Sequence, residues 1–207
     1  FRILPDKLIS ISKLPPINLH PSLLPKYRGS SPIQYALKNG DDRTGVSIIH
    51  LSDKVDSGEI LNQVETSIGE DENYGELENR LSILGSHLLL KTLDEIEIDK
   101  VKYSTQDNRL VSYAPKFKKN QSEICWDLNI QDIHNHIRAF DPIPGAFTFF
   151  KGKRIKLFGP KIVNDKNKYD NREIFLHENK INIAMDGISL SIDSIQIEGK
   201  SKLESKT

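Results

Sequence analysis

Two prolines, Pro21 and Pro25, and a glycine, Gly29, interrupt the chain directly after the short run Ile17-Asn18-Leu19-His20. Proline has no backbone N–H to give to a ladder and holds φ near −65°, so a strand that reaches His20 cannot continue through Pro21. Residues Pro16 to His20 therefore read as a short strand and Pro21 to Gly29 as a stiff loop. Side chains two apart on a strand share a face, which places Asn18 and His20 together at the end of this one. Open α/β sheets gather their ligands at the carboxyl ends of strands.

Beyond the loop, Ser30 or Ser31 can cap a helix that begins at Pro32, runs to Lys38 and stops at Asn39-Gly40. Gly45 to Leu51 is rich in β-branched residues and reads as a buried strand. Asp53 to Gly58 is a turn-rich loop, and Ile60 to Val64 a second short strand. From Tyr74 to about Ile96, the residues Leu77, Leu81, Leu84, Leu88 and Leu89 draw one apolar stripe along a helix. This half reads as α/β. If its sheet is parallel, the loop carrying Asp56 emerges at the same edge as His20.

The pattern changes near residue 100. Val101 to Lys119 is polar, with Lys116, Lys118 and Lys119 close together, and is expected to link two domains. Ile130, Ile133, Ile137 and Phe140 mark an amphipathic helix, stopped by Pro142 and Pro144. Strand-like segments come next at Ala146–Phe150, Arg154–Phe158, Ile181–Met185 and Ile188–Ile197, with turns at Lys151-Gly152 and Asp186-Gly187. The expected organisation is an α/β domain over residues 1–100, a linker over 101–120, and a small β-barrel over 121–207.

Lys+Arg and Asp+Glu are 29 each among 207 residues, so no global basic field exists, although local basic patches do. No apolar run approaches the ~20 residues of a membrane helix. Cys125 is the only cysteine, which excludes an intramolecular disulfide and a Cys-rich zinc site and points to a reducing compartment. We read Cys125 as packed beside Trp126. His134 and His136, two apart on a helix, make a poor metal pair, and no metal is expected. The chain opens with Phe1 and its only methionine is Met185, so it reads as an internal piece of something longer.

Asn18, His20 and Asp56 form a usable chemical set. A carboxylate orients an imidazole and favours its charged form, the imidazole moves a proton, and an amide N–H donates to a developing oxyanion. No serine or cysteine sits in a recognisable nucleophile elbow. Direct attack by a bound amine or water is therefore expected.

The run Asn18 to Gly29, continued by Ser31-Pro32-Ile33-Gln34, resembles the signature of the folate-dependent formyltransferases. Gly40-Asp41, Thr44-Gly45-Val46 and Val55-Asp56-Ser57-Gly58-Glu59-Ile60-Leu61 resemble its second block, 36 positions separating His20 from Asp56. The resemblance implies a Rossmann-like catalytic domain with part of its N-terminal sheet absent. It implies catalytic roles for Asn18, His20 and Asp56, with Asp56 holding the His20 tautomer. It also implies folate contacts at Ser22, Leu23, Leu24 and Pro25.

Within the family, Tyr113-Ala114-Pro115-Lys116, Trp126, the run Ile137 to Ala146, and Gly152 to Leu157 resemble the tRNA-directed members, which carry a C-terminal barrel of the oligonucleotide-binding type. The resemblance to those members implies formyl transfer from 10-formyltetrahydrofolate to initiator methionyl-tRNA, by a monomer in a bacterial cytoplasm, with an organelle as the alternative compartment. Lys116, Lys118, Lys119, Lys151, Lys153, Arg154 and Lys156 are candidate tRNA contacts. Two other readings stay open: a sugar-nucleotide N-formyltransferase, and an inactive fragment that keeps a tRNA-binding barrel.

Overall fold

A computed structural model describes residues 16–164, 169–177, 179–185 and 187–204. The chain separates into two compact units. The first comprises Phe1–Ala36, Asp41–Ile68 and Glu76–Lys116; the second comprises Leu37–Gly40, Gly69–Gly75 and Phe117–Thr207.

Three strands form the sheet described in the first unit: β1 (Ile17–His20), β2 (Arg43–His50) and β3 (Ile60–Ser67), in that order and all antiparallel. His20 pairs with Ser47 and Ile17 with His50, so β2 ends beside the start of β1. This corrects the expectation of a parallel sheet. Only residues 51–59 join β2 to β3, and so short a connection suits antiparallel neighbours, since a parallel pair needs a crossover of a dozen residues or more. The Asp56 loop therefore leaves at the far end of β1 and folds back toward His20.

The greater part of two helices, α1 (Pro32–Lys38) and α2 (Tyr74–Glu97), belongs with these strands. α2 buries Leu77, Leu81, Gly85, Leu88 and Thr92, while Leu84 and Leu89 are only half-buried. Gly85 replaces a leucine in the buried stripe for a steric reason. A Cβ there would lie 2.8 Å from Leu19 Cδ1, so its absence lets the helix backbone approach the strand residue between Asn18 and His20. Val46, Ile48, Ile49 and Leu61 complete the core beneath.

Residues 101–116 belong to this unit. Ser104 and Ile60 exchange backbone hydrogen bonds of 2.8 and 2.9 Å; Ala114 N–H donates to Arg28 O at 2.7 Å, and Ser31 N–H to Ala114 O at 3.0 Å.

In the second unit, α3 (Ile130–Phe140) starts at Asn129, whose side-chain oxygen accepts from Asp132 N–H at 2.9 Å. Ile133, Ile137 and Phe140 are fully buried. The strands are β4 (Ala146–Phe150), β5 (Lys153–Val163), β6 (Ile174–His177), β7 (Lys180–Met185), β8 (Ile188–Ile197) and β9 (Leu203–Glu204). They form one sheet in the order β4-β5-β8-β7-β6, with β9 on β8. β8 pairs with β7 through its first half and with β9 further on, so it holds three neighbours along its length.

The inner face packs Leu157, Ile183, Met185, Leu190 and Ile192 onto α3. Among the described residues β4 and β6 are the edges of this path, and β6 and β9 were not anticipated. Met185 pairs with Ile188; Asp186, expected to form the turn with Gly187, lies outside the described residues.

Cys125 is exposed, not packed as expected, because the chain turns its neighbour inward instead: Trp126 packs on the core and its Nε1–H donates to Thr148 Oγ1 at 2.9 Å. No helix of the described residues is long and apolar enough to cross a membrane, and those residues hold no group of three or more His, Cys, Asp and Glu placed for a metal.

Candidate active site

His20 closes β1 and is 4% exposed. Its Nε2 lies 2.9 Å from Tyr27 O. A carbonyl only accepts, so Nε2 carries a proton and donates it there. That leaves Nδ1 facing Asp56, whose Oδ2 is 3.6 Å away. The same Oδ2 accepts from Gly29 N–H at 2.8 Å. The tautomer is thus set by the Tyr27 carbonyl, not by Asp56 as expected. Asp56 instead stands before the nitrogen that gains or loses a proton.

Burial pushes the His20 imidazole below its ordinary range, against the opposing pull of the Asp56 charge and the Tyr27 carbonyl. Neutral His20 offers the Nδ1 lone pair of a base, and its charged form would face a carboxylate.

Both partners of His20 come from unusual backbone. Tyr27 has φ 62° and Asp56 φ 50°, the left-handed region that side chains other than glycine seldom adopt. Tyr27 is held by its N–H to Ser112 Oγ at 2.9 Å and its hydroxyl to Asp41 Oδ2 at 2.8 Å. Asp56 is held through its own carbonyl, which accepts from Gln106 Nε2 at 2.9 Å.

Asn18 is half-buried, paired in register with Ile49, and its amide has no hydrogen-bond partner among the described residues. It shares a strand face with His20.

The stretch Ser22 to Pro25 turns much of its polar chemistry inward. Ser22 Oγ donates to Lys26 O at 2.7 Å, and Ser47 Oγ donates to Ser22 O at 2.6 Å. Leu24 N–H reaches Ser47 Oγ at 3.1 Å, while Gln63 Nε2 donates to Leu24 O at 3.0 Å and to Ser47 Oγ at 2.8 Å. Leu24 is buried, whereas Leu23 and Pro25 are half-exposed. The surface this stretch offers a ligand is therefore Leu23, Pro25 and backbone.

The basic residues divide between the units. Lys116 is exposed in the first; Lys118, Lys119, Lys151 and Lys153 are exposed in the second. Arg154 and Lys156 are half-buried on one face of β5, and the Arg154 guanidinium stacks 3.7 Å from the Phe147 ring centre. They line a groove of about 240 Å³ with Gln196, Ile197, Glu198 and Gly199, so one carboxylate sits among its cations.

Sequence reasoning missed Ser47, Gln63, Gln106 and Ser112. The first two carried a weak signal, as polar residues inside β-branched runs. Gln106 and Ser112 carried none, because a polar residue in a polar stretch looks like solvent-facing loop.

An imidazole thus faces a carboxylate at the end of a strand, over a proline-stiffened loop, in an α/β unit, and comparison with known proteins gives the family. Residues 1–93 match the family described as Formyl transferase and residues 116–207 that described as Formyl transferase, C-terminal domain. The chain belongs to the formyl transferases.

Methionyl-tRNA formyltransferase of Lactobacillus johnsonii is 37% identical over 206 residues, 99% of this chain and 66% of that protein. The enzyme of the same name from Syntrophus aciditrophicus is 44% identical over 157 residues, 76% of this chain and 50% of its own. The chain thus spans less than two-thirds of these relatives' length. In fold it is similar to HypX from Aquifex aeolicus in complex with tetrahydrofolic acid, with a TM-score of 0.79 at 19% identity over 99% of this chain and 36% of that one.

Proposed function

We propose that the protein to which this chain belongs transfers a formyl group from 10-formyltetrahydrofolate to the α-amino group of initiator methionyl-tRNA, as a monomer in a bacterial cytoplasm. The observation that carries this reading is the His20–Asp56 pair, with Asn18 on the same face of β1 as His20, within the residues matched to the formyl transferase family. The identity with methionyl-tRNA formyltransferases along nearly the whole chain favours tRNA as the acceptor.

The amine attacks only when neutral; its pKa near 8 when free falls further beside an ester. A bond forms from the amine nitrogen to the formyl carbon, giving a tetrahedral oxyanion. Asn18 donates its amide N–H to that oxygen. His20 Nδ1 accepts the proton the amine releases, and the Asp56 carboxylate steadies the resulting charge. The carbon–nitrogen bond to the folate then breaks, and the proton passes to the departing folate nitrogen. Leu23 and Pro25 would line the folate. The groove of Arg154 and Lys156, with the exposed lysines, would meet tRNA phosphates.

The test is formylation by the full-length protein, with charged initiator tRNA and a nucleotide amino-sugar offered together. Turnover of the tRNA alone is expected. Turnover of the sugar alone, or of neither, overturns the reading.

A further inference from the structure

We propose that Gln106 is a positioning residue for the His20–Asp56 pair, and that the segment 104–114 is part of the reaction site. This rests on the catalytic role proposed for that pair.

Gln106 is 6% exposed, among the few buried polar residues of the first unit. Every polar atom of its amide is used. Nε2 donates to Asp56 O at 2.9 Å and to Gly58 O at 2.7 Å. Oε1 accepts from Arg28 Nε at 3.1 Å and from Arg28 Nη2 at 2.7 Å. One side chain therefore joins the two blocks that carry the chemistry, the Asp56 loop on one side and Arg28-Gly29 on the other. Gly29 N–H in turn binds the Asp56 carboxylate at 2.8 Å.

The ring closes through Asp56 itself: main chain to Gln106, Gln106 to Arg28, Arg28 along the chain to Gly29, Gly29 back to the Asp56 side chain. A buried guanidinium whose Nε–H and Nη2–H both donate to one oxygen is held in a single orientation.

The rest of the segment grips the same loop. Ser112 Oγ accepts from Tyr27 N–H at 2.9 Å and Ser112 O from Arg28 N–H at 2.9 Å. Tyr27 O is the acceptor that sets the His20 tautomer. A Cβ on Gly29 would lie 2.6 Å from Ala114 O, so the loop and the segment touch backbone to backbone. Both halves of the pair, the tautomer of the base and the place of the acid, are held from the segment 104–114. The antiparallel sheet explains the need: the Asp56 loop leaves at the wrong end of β1, and something must draw it back.

The experiment uses the full-length protein and two independent readouts. The first is the NMR titration of the His20 imidazole, which requires no knowledge of the acceptor. Asp56→Asn is expected to lower the His20 midpoint in the parent, and to lower it far less in Gln106→Met, where the carboxylate is no longer held in place. Equal shifts in the two backgrounds overturn the proposal. The second readout is turnover: Gln106→Met is expected to lose about 10²-fold in kcat, as for a ~1 Å misplacement, with KM for the folate little changed.

Because Gln106→Met leaves Arg28 buried without its acceptor, Arg28→Met/Gln106→Met is the companion variant, expected to fold as the parent does and to show the same weakened Asp56 effect. Should the parent formylate no acceptor, the functional reading fails while the titration still decides the role of Gln106.

Discussion

Asp56 comes 36 positions after His20 in the chain and stands 3.6 Å from its Nδ1 in space. The opposite ring nitrogen is committed to Tyr27 O, so the carboxylate meets the basic nitrogen. Asp56→Asn keeps an acceptor for Gly29 N–H and removes only the charge. It is expected to fold with near-parent stability and to lose on the order of 10²–10⁴ in kcat, the usual worth of general acid–base catalysis. Parent-like kcat in steady-state formylation by this variant would refute the assignment.

Asn18 carries a half-buried amide with no described partner. Truncation to alanine leaves no orphaned neighbour, so stability should hardly change. Loss of one oxyanion donor is expected to cost about 10²–10³ in kcat, with folate affinity by fluorescence titration unchanged. A weakened folate affinity with normal kcat would make Asn18 a binding residue instead.

Gly58 is the single glycine of the Asp56 loop, residues 51–59. A Cβ there would fall 1.8 Å from His50 O, which is backbone and cannot rotate aside. Gly58→Ala must shift the loop. We expect a stability loss of roughly 1–3 kcal/mol in urea unfolding together with a fall in kcat, because the same loop presents Asp56. Loss of neither would mean that the loop accommodates the methyl group freely.

The second unit contains its own acid sensitivity. His136 is buried against Phe140, and its Nε2 has no hydrogen-bond partner among the described residues. Burial, against backbone hydrogen bonds and with help from Lys38, pushes its pKa from 6.5 down to about 4. The unfolded chain therefore binds this proton more readily. The stability owed to neutral His136 is complete above pH 6.5 and is lost as pH falls toward 4, a loss of about 3 kcal/mol by linkage. Urea midpoints should drop over that window, and His136→Leu should flatten the drop. An unchanged slope in the variant would rule His136 out as the source.

Lys151 and Lys153 are exposed at the turn between β4 and β5, and Lys151 Nζ lies over the Phe150 ring, 5.3 Å from its centre. If they meet tRNA phosphates, Lys151→Ala/Lys153→Ala should weaken tRNA binding and lower the slope of log affinity against log salt by about 2. A parent slope would place the phosphate contacts elsewhere.

The elements of both units were legible because their signals are local. Proline at 21 and 25 forbids a strand, leucine spacing draws α2, and glycine turns separate β4 from β5 and β7 from β8. The sequence did not reveal the sense of the first sheet, since periodicity records which face a side chain takes and not which way its neighbour runs. It also misjudged Cys125, whose exposure depends on how the chain turns at Trp126.

By itself the sequence determined where the chain must bend, which faces are apolar, and which polar residues accompany the signature loop. Only the tertiary structure decided that Asp56 reaches His20 from the far end of the sheet, that Tyr27 O chooses the tautomer, and that Gln106 joins the two loops. The physical reason is that a hydrogen bond between distant segments leaves no period in either one. Its cost of loop closure and its gain on burial appear only when both segments are in place.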